Sequence, residues 1–421
     1  MSVPRSRGGH TSDPPRPTKA ELAEEARQAR ECERLAAMAS EHAAMMARIR
    51  ARERSNMVLG HVEDRSWFED QFVEALATKW SGQPLTAHQR AFAELGLVGL
   101  AHAALVRRNR DTRRGRDGKL ERLPHDAPRG EIMLAGMGQS DLPLHVENIG
   151  RKVINASFRA SPVTYPLLSR EQAFPDYKPT KVLNPASVPE PAEVNEHAEL
   201  TEGVLEESGS TPIRLGRYGR LFSLTGYLFR NADEEAIAAL LRSVGDRAAT
   251  FQNRLWFDAC LLPNNGLGPD MADAAPLFHS SHANVASGGA LDATKLGEAR
   301  ALLRRQSHNG ISLSLDAAVL LVAPEQESLA ESLVAGLALA KPEAQRLRVL
   351  SDSNLPAPRW YLFASPERAP LFVHGGLLGD EGPQLTSRSG FASDGVEFRL
   401  ALDFAAGATG AVAGAVTGAG A

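Results

Sequence analysis

Residues 233–262 read DEEAIAALLRSVGDRAATFQNRLWFDACLL. Ile237, Leu241, Val244, Ala248, Phe251, Leu255, Ala259 and Leu262 recur at spacings of three and four, which lays them along one face of a helix. Asn231 or Asp233 supplies an N-cap, and PNNG at 263–266 stops the run. At 1.5 Å per residue such a helix is a rod of about 45 Å, more than twice the usual globular length. The spacing therefore predicts a spine over 233–262 on which other elements lean.

Downstream, PLFHSSHANV at 276–285 places two histidines and two serines in a turn-rich stretch. SGGALDATKLGEARALLRRQSHNG follows, with Asp292 as N-cap of a helix ending before Gly310. LDAAVLLVAPE reads as a buried strand, EQESLAESLVAGLA as a helix, and RLRVLSDSNL and RWYLFASPE as strands. GPQLTSRSGFASDGVEFRLALDF holds two strand patterns joined through Asp394-Gly395, a hairpin signal. Residues 405–421 are almost all Ala, Gly, Val and Thr, which predicts a low-complexity tail.

Upstream, FPDYKPTKVLNPASVPEP carries five prolines, which exclude helix and force an extended excursion. LTEGVLEESGSTPIRLGRYGRLFSLTGYLF returns as short strands with glycine turns. SDLPLHVENIGRKVINASF predicts a short helix with Leu144, Ile149, Val153 and Ile154 near one face. Residues 1–18 have the composition of a disordered segment. From Lys19 the chain is dense in Ala, Glu, Arg and Met, and 19–54 predicts a long charged helix or arm. SWFEDQFVEALATKW and LTAHQRAFAELGLVGLAHAALV are two further helices, followed at 107–122 by a tract of eight basic and three acidic residues that reads as a solvated linker.

Composition narrows the function. The chain has 421 residues, 43% hydrophobic and 23% charged, with a net charge of −4, which is ordinary for a globular protein and offers no global excess of positive charge for nucleic acid. Cys32 and Cys260 are the only cysteines, too few for a disulfide scaffold or a cysteine zinc module. No apolar run reaches the ~18 residues that span a bilayer, and the N-terminus lacks the apolar core of a secretory signal.

Chemistry-bearing motifs are sparse. The chain holds no GxxxxGK[ST] and no GxSxG, and no GxGxxG opens a helix after a strand. His279 and His282, three apart, with His308 as a third ligand, form the one candidate metal set. They lack the i, i+4 spacing and the adjacent Glu of a helical zinc site. Ser281 beside His282 has no orienting acid. The competing reading makes the histidines and Asn284 the caps of a turn. Glu206-Glu207 reads as an exposed turn, Lys178 and Lys181 as solvated, and Trp256 and Trp360 as core. The residues themselves thus assign no catalytic, cofactor or metal site.

The collinear series of segments resembles the major capsid proteins of Mu-like tailed phages and prophages over about residues 138–405. It is carried by PDYKPTKV, RYGRLFSLTG, NRLWFDACL, PLFHSSHANVASGG, VLLVAPEQE, RWYLFASPE and the final hairpin. The resemblance implies an α+β fold of the Hong Kong type. Its parts would be an N-terminal arm at 138–170, an extended loop at 171–222, and a peripheral domain at 223–310 containing the spine helix 233–262. An axial domain at 311–365 and a return to the peripheral domain at 366–404 would complete it. Residues 19–137 would be a helical assembly or scaffold-like region, as in capsid proteins fused behind a prohead protease.

A structural, non-enzymatic role follows from the same resemblance: pentamers and hexamers of this chain closing an icosahedral shell around double-stranded DNA, touched only weakly and without specificity. Portal, scaffold or protease proteins would join during assembly in the host cytoplasm, with no membrane partner and no cofactor, and the product would be a virion capsid. Lys178 or Lys181 would be the loop lysine if subunits were cross-linked, a claim no motif here carries. Related shells, an encapsulin or a gene transfer agent, are the alternatives within the fold. A metal-dependent hydrolase using His279, His282 and His308 is the alternative of another class.

Overall fold

A computed structural model describes residues 65–107, 112–114, 120–122, 132–133, 142–182, 212–225, 227–228, 231, 233–286, 289–308, 311–338, 347–380, 382–389 and 395–418. The expected disordered start, the 19–54 arm and the middle of the proline-rich excursion lie outside these residues. The chain divides into units of Met1–Phe68 and Glu69–Ala421, and the contacts described below belong to the second.

Two helices come first, α1 (Arg65–Trp80) and α2 (Ala87–Arg107). Gly96 breaks α2 with φ 64° and ψ −161°, a conformation glycine adopts without a Cβ penalty. The basic tract contains strands β1 (Thr112–Arg114) and β2 (Leu120–Arg122), paired antiparallel. That tract is therefore a hairpin in part, where composition alone predicted a linker. Helix α3 (Leu142–Ala160) buries Val146, Ile149, Val153 and Ile154. Leu144 lies outside that face and is 53% exposed, because its spacing to Ile149 is five residues rather than three or four.

The spine is helix α4, Glu234–Cys260, and Asp233 is its N-cap, accepting from the Ala236 N–H at 3.1 Å. At 27 residues it is about 40 Å long. Its buried face consists of Ile237, Ala238, Leu241, Gly245, Ala248, Ala249, Gln252, Asn253, Trp256, Phe257 and Cys260. Val244, Phe251, Leu255 and Ala259, expected at the centre of the buried stripe, lie on its flank. The rotation has a cause at Gly245, where a Cβ would run into the Ile154 carbonyl and lie 2.8 Å from the Ser157 Cβ. The missing side chain lets α3 cross α4 backbone to backbone, and the buried face turns towards that crossing.

Two sheets follow. The first joins β3 (Arg170–Glu171), β4 (Gly216–Thr225), β10 (Phe372–Gly375), β11 (Gln384–Ser389) and β12 (Gly395–Ala408), with β12 paired to β4, β10 and β11. Strand β4 pairs with β12 over its whole length, from Gly216 opposite Phe404 to Thr225 opposite Gly395, longer than the short strands expected. In the β11–β12 hairpin Ser389 faces Val396; Gly395 is the first residue of β12, and Asp394 lies outside the described residues.

The second sheet has the order β13 (Ala415–Thr417), β9 (Trp360–Ala364), β7 (Ala317–Val322), β8 (Arg348–Ser351). Both of its faces are covered, so every residue of β9 is buried. Tyr361 and Phe363 pack with Trp256, Phe257, Phe372 and Phe404 in a core shared with the first sheet and α4. Trp360 and Leu362 face the other way, against Leu296, Ala299 and Leu303 of α5 (Ala293–Arg305) and Ala330 of α6 (Glu327–Ala338). Asp292 caps α5 as expected, accepting from the Lys295 N–H at 2.8 Å.

The alanine-rich end is a correction. Residues 405–408 continue β12 in register with β10, and 415–417 form β13 on β9. Ala405, Ala408, Ala411, Ala413, Ala415 and Val416 are all buried. Small side chains mark close packing between layers here, and a composition rule cannot tell that from low complexity.

Candidate functional site

The histidine stretch closes on itself. His279 is the N-cap of a 3₁₀ turn at 280–282; its Nδ1 lies 2.7 Å from Ser281 Oγ and accepts from the Ser281 N–H. His282 sets Nδ1 2.8 Å from the Leu277 carbonyl and Nε2 2.8 Å from Asp273 Oδ2. Both His282 nitrogens therefore face acceptors, and neither directs a lone pair at a metal. The hydrogen bond from His282, with a further one from the Ala275 N–H, holds the Asp273 carboxyl below its ordinary value. Asn284 is fully buried: its side chain donates to the carbonyls of Leu277 and Val412 and accepts from the His279 N–H. Next to it, Val285 bridges to Thr417 of β13. The turn thus fastens the end of the chain to the second sheet.

The remaining sequence candidates separate in the same way. His308 stands in a two-residue strand, β5 (Ser307–His308), paired with β6 (Ile311–Ser312). No three His, Cys, Asp or Glu side chains meet as a metal site requires among the described residues. Lys178 is 85% exposed and 3.7 Å from Asp176, and Lys181 is exposed. Glu206 and Glu207 lie outside the described residues. Trp256 and Trp360 are fully buried. Burial pushes the Cys260 thiol up, away from reactivity. Among the described residues no helix is long and apolar enough to cross a membrane.

Two constellations escaped the sequence reading. One is a buried polar knot. Asp352, 7% exposed, accepts from Asn253 Nδ2 at 2.7 Å, from Thr164 Oγ1 at 2.5 Å, and from the Asn354 N–H and side chain. Asn253 Oδ1 accepts from the Thr164 and Tyr165 N–H groups, and the Tyr165 hydroxyl donates to Gln252 at 3.0 Å. The knot ties the spine to the segment after α3 and to the loop after β8. Beside it His374 places Nδ1 2.7 Å from Ser169 Oγ, and burial pushes its pKa down to about 4. Polar residues on the buried face of the helix, Gln252 and Asn253, were the available signal.

The second constellation is a carboxylate latch. Glu234, in the first turn of the spine, accepts from the Leu97 N–H at 2.6 Å and from Lys79 Nζ at 3.0 Å. Lys79 also donates to the Ala93 carbonyl, and Arg242 donates to the Trp80 carbonyl at 3.1 Å. Glu74 pairs with Lys152 of α3. Glu234 thereby caps the second half of α2, where the break at Gly96 leaves the Leu97 N–H without a helical acceptor.

The described surface is open at one place in particular. Arg217, Gly219, Leu221, Ser223 and Thr225, alternate residues of β4, are all exposed, and Leu221 is 69% exposed. The opposite face of the same strand holds Tyr218, whose ring meets Phe251 of the spine at 5.2 Å, and buried Leu224. On its edge away from β12, β4 pairs with no other strand among the described residues. Tyr227, just after the strand, is 73% exposed.

Comparison with known proteins adds the family. A model of the phage capsid protein family matches residues 206–417, half of the chain, from the approach to β4 through β13. No curated protein matches the sequence. Among solved structures, a chain from Microbacterium phage Oxtober96 is similar at 13% identity and TM-score 0.38, over 60% of this chain and 89% of that one. A virus-like particle from Pyrococcus furiosus is similar at 10% identity and TM-score 0.39, over 63% and 95%. An encapsulin complex from Synechococcus elongatus is similar at 10% identity and TM-score 0.38, over 59% and 84%.

Proposed function

The chain belongs to the phage capsid protein family, and from that premise we propose that it is the major shell subunit of a tailed-phage or prophage head. The observation that carries this reading is the extent of the family match, which takes in the spine helix, the second sheet with its closing strand and every strand of the first sheet but β3. In such a subunit the work is done by repeated contacts between copies, and binding energy comes from buried interface rather than a reactive centre. The chemistry of the described residues agrees with that: the histidine turn is closed by its own hydrogen bonds and the one cysteine described is buried.

On this reading pentamers and hexamers close an icosahedral virion capsid around double-stranded DNA after assembly in the host cytoplasm. Portal, scaffold or protease proteins act as assembly partners. The segment 138–170 is the arm, 171–222 the extended loop, 223–310 with 366–404 the peripheral domain, and 311–365 the axial domain, joined by β13 from the chain's end. Residues 19–137 form an assembly region, within which Lys79 and Leu97 meet Glu234 of the spine. Sedimentation of the purified full-length chain, with metal analysis of the same sample, tests the proposal. Large closed assemblies without stoichiometric metal are expected; a small discrete oligomer carrying one zinc or manganese per chain would contradict it.

A further inference from the structure

Strand β13 has neighbours on both of its edges. On one side it pairs with β9, Ala415 opposite Phe363 and Thr417 opposite Tyr361. On the other, the Thr417 N–H donates to the Asn284 carbonyl at 3.0 Å, and the Thr417 carbonyl accepts from the Ala286 N–H at 2.8 Å. Residues 284–286 and β9 are therefore the two walls of a slot, and residues 411–418 fill it.

Two side chains read the backbone of that occupant. Gln306, 4% exposed, accepts from the Gly414 N–H at 2.8 Å and donates to the Ala415 carbonyl at 3.0 Å. Asn284 donates to the Val412 carbonyl at 3.2 Å. The slot also excludes a side chain at its far end, where a Cβ at Gly418 would run into the Trp360 ring. Recognition thus rests on main-chain groups and small residues at set positions, the mode in which an extended peptide is added to a sheet.

The occupant is joined to the first sheet at one point. The Thr409 hydroxyl donates to the Pro370 carbonyl at 2.7 Å and its N–H to the Leu371 carbonyl at 3.0 Å. Gly410 follows with φ 84°, a hinge that carries no Cβ penalty. Beyond it, 411–418 reads AVAGAVTG and anchors itself with no side chain larger than valine. A segment tied at a glycine and held by small side chains opens locally, at less cost than the sheets. The bared slot then meets the same segment on another copy, and exchange of an identical element restores every contact that opening breaks.

We propose that the slot between β9 and residues 284–286 is an exchangeable strand site, and that its second occupant is segment 411–418 of another copy of this chain. Residues 410–414 span at most about 17 Å, so the exchanging copy is an immediate neighbour. The exchange goes beyond the shell reading and does not depend on it, because its readout is a covalent pair of chains and needs no shell.

Val285 and Thr417 are bridge partners, and Thr417 is fully buried, so a surface collision cannot join them. Adjacent strands lie about 4.8 Å apart, inside the Cα range that a disulfide spans. Full-length V285C and T417C chains, each also carrying C32S, are co-expressed, purified, oxidised and run on a non-reducing denaturing gel; Cys260 is buried. The expected result is a disulfide-linked pair in the mixture and in neither variant alone. Adding G418V to the T417C chain should abolish the pair, because its segment no longer fits past Trp360. V285C/T417C in one chain should close the bridge internally. A mixture without the pair, while that double variant closes internally, overturns the proposal. So does a pair as abundant in either variant alone, or one that survives G418V, since both place the thiols outside the slot. A double variant that forms no internal bridge overturns it as well.

Discussion

Replacing Glu234 with alanine should free α1 and α2 from the spine without unfolding the sheets. Two contacts disappear with the carboxylate. The Leu97 N–H loses the acceptor it has at 2.6 Å, and a hydrogen bond to a charged group is worth about 1.5–3 kcal/mol. The pair with Lys79, whose side chain is 42% exposed, adds at most about 1 kcal/mol after solvent screening. Together they give about 2–4 kcal/mol, taken from local rather than global stability. In hydrogen exchange that corresponds to amides of Leu97–Leu105 opening roughly 30- to 700-fold more often, while β9 and β12 keep their protection. Glu234→Gln preserves the acceptor oxygen and removes only the charge, so it should cost about 1 kcal/mol. The measurement is exchange by mass spectrometry on both variants. Unchanged protection across Leu97–Leu105 in the alanine variant would refute the latch; so would a glutamine variant as damaged as the alanine one.

Three other outcomes follow from the packing. Gly245→Ala should destabilise by about 1–3 kcal/mol, because the new Cβ meets the Ile154 carbonyl, a backbone group that cannot step aside; a denaturant midpoint equal to wild type would contradict the crossing described. Deleting residues 411–421 should remove β13 and Val416 from the core, costing well over ~2 kcal/mol, whereas a loose tail could be lost silently; thermal melts decide. Burial keeps His374 neutral, with its pKa at about 4 against an ordinary 6.5. The unfolded chain takes up that proton first, so the stability is complete above about pH 6.5 and is lost as pH falls towards 4. Between pH 7 and 4.5 the loss is about 2 kcal/mol, and His374→Gln should show a correspondingly shallower pH dependence in urea titrations.

How far the sequence could be read depended on whether a signal was periodic. The spine, its Asp233 cap and its stop at Asn264-Asn265 follow from spacing and turn chemistry, and the structure has them at Glu234–Cys260. The strands 317–322, 348–351 and 360–364 were legible as apolar runs. Three things were not. The face of the spine is set by a neighbour, since only α3 arriving at Gly245 decides which stripe is inside. The end of the chain is a strand because β9 has an edge to fill, and Ala-Gly-Val text gives no hint of that. The latch and the polar knot join residues far apart in sequence, Lys79 with Glu234 and Thr164 with Asp352, a separation no local pattern spans. The histidine turn was legible as a cap but not as a clasp, because its partner, Thr417, stands in the misread tail.

Negative-stain electron microscopy of the purified full-length chain tests the central claim most directly. A subunit of this family should appear as closed shells of uniform diameter, or as rings of five and six copies that close on raising the concentration. Fields containing only monomers or dimers, at every concentration and salt tried, would contradict the account.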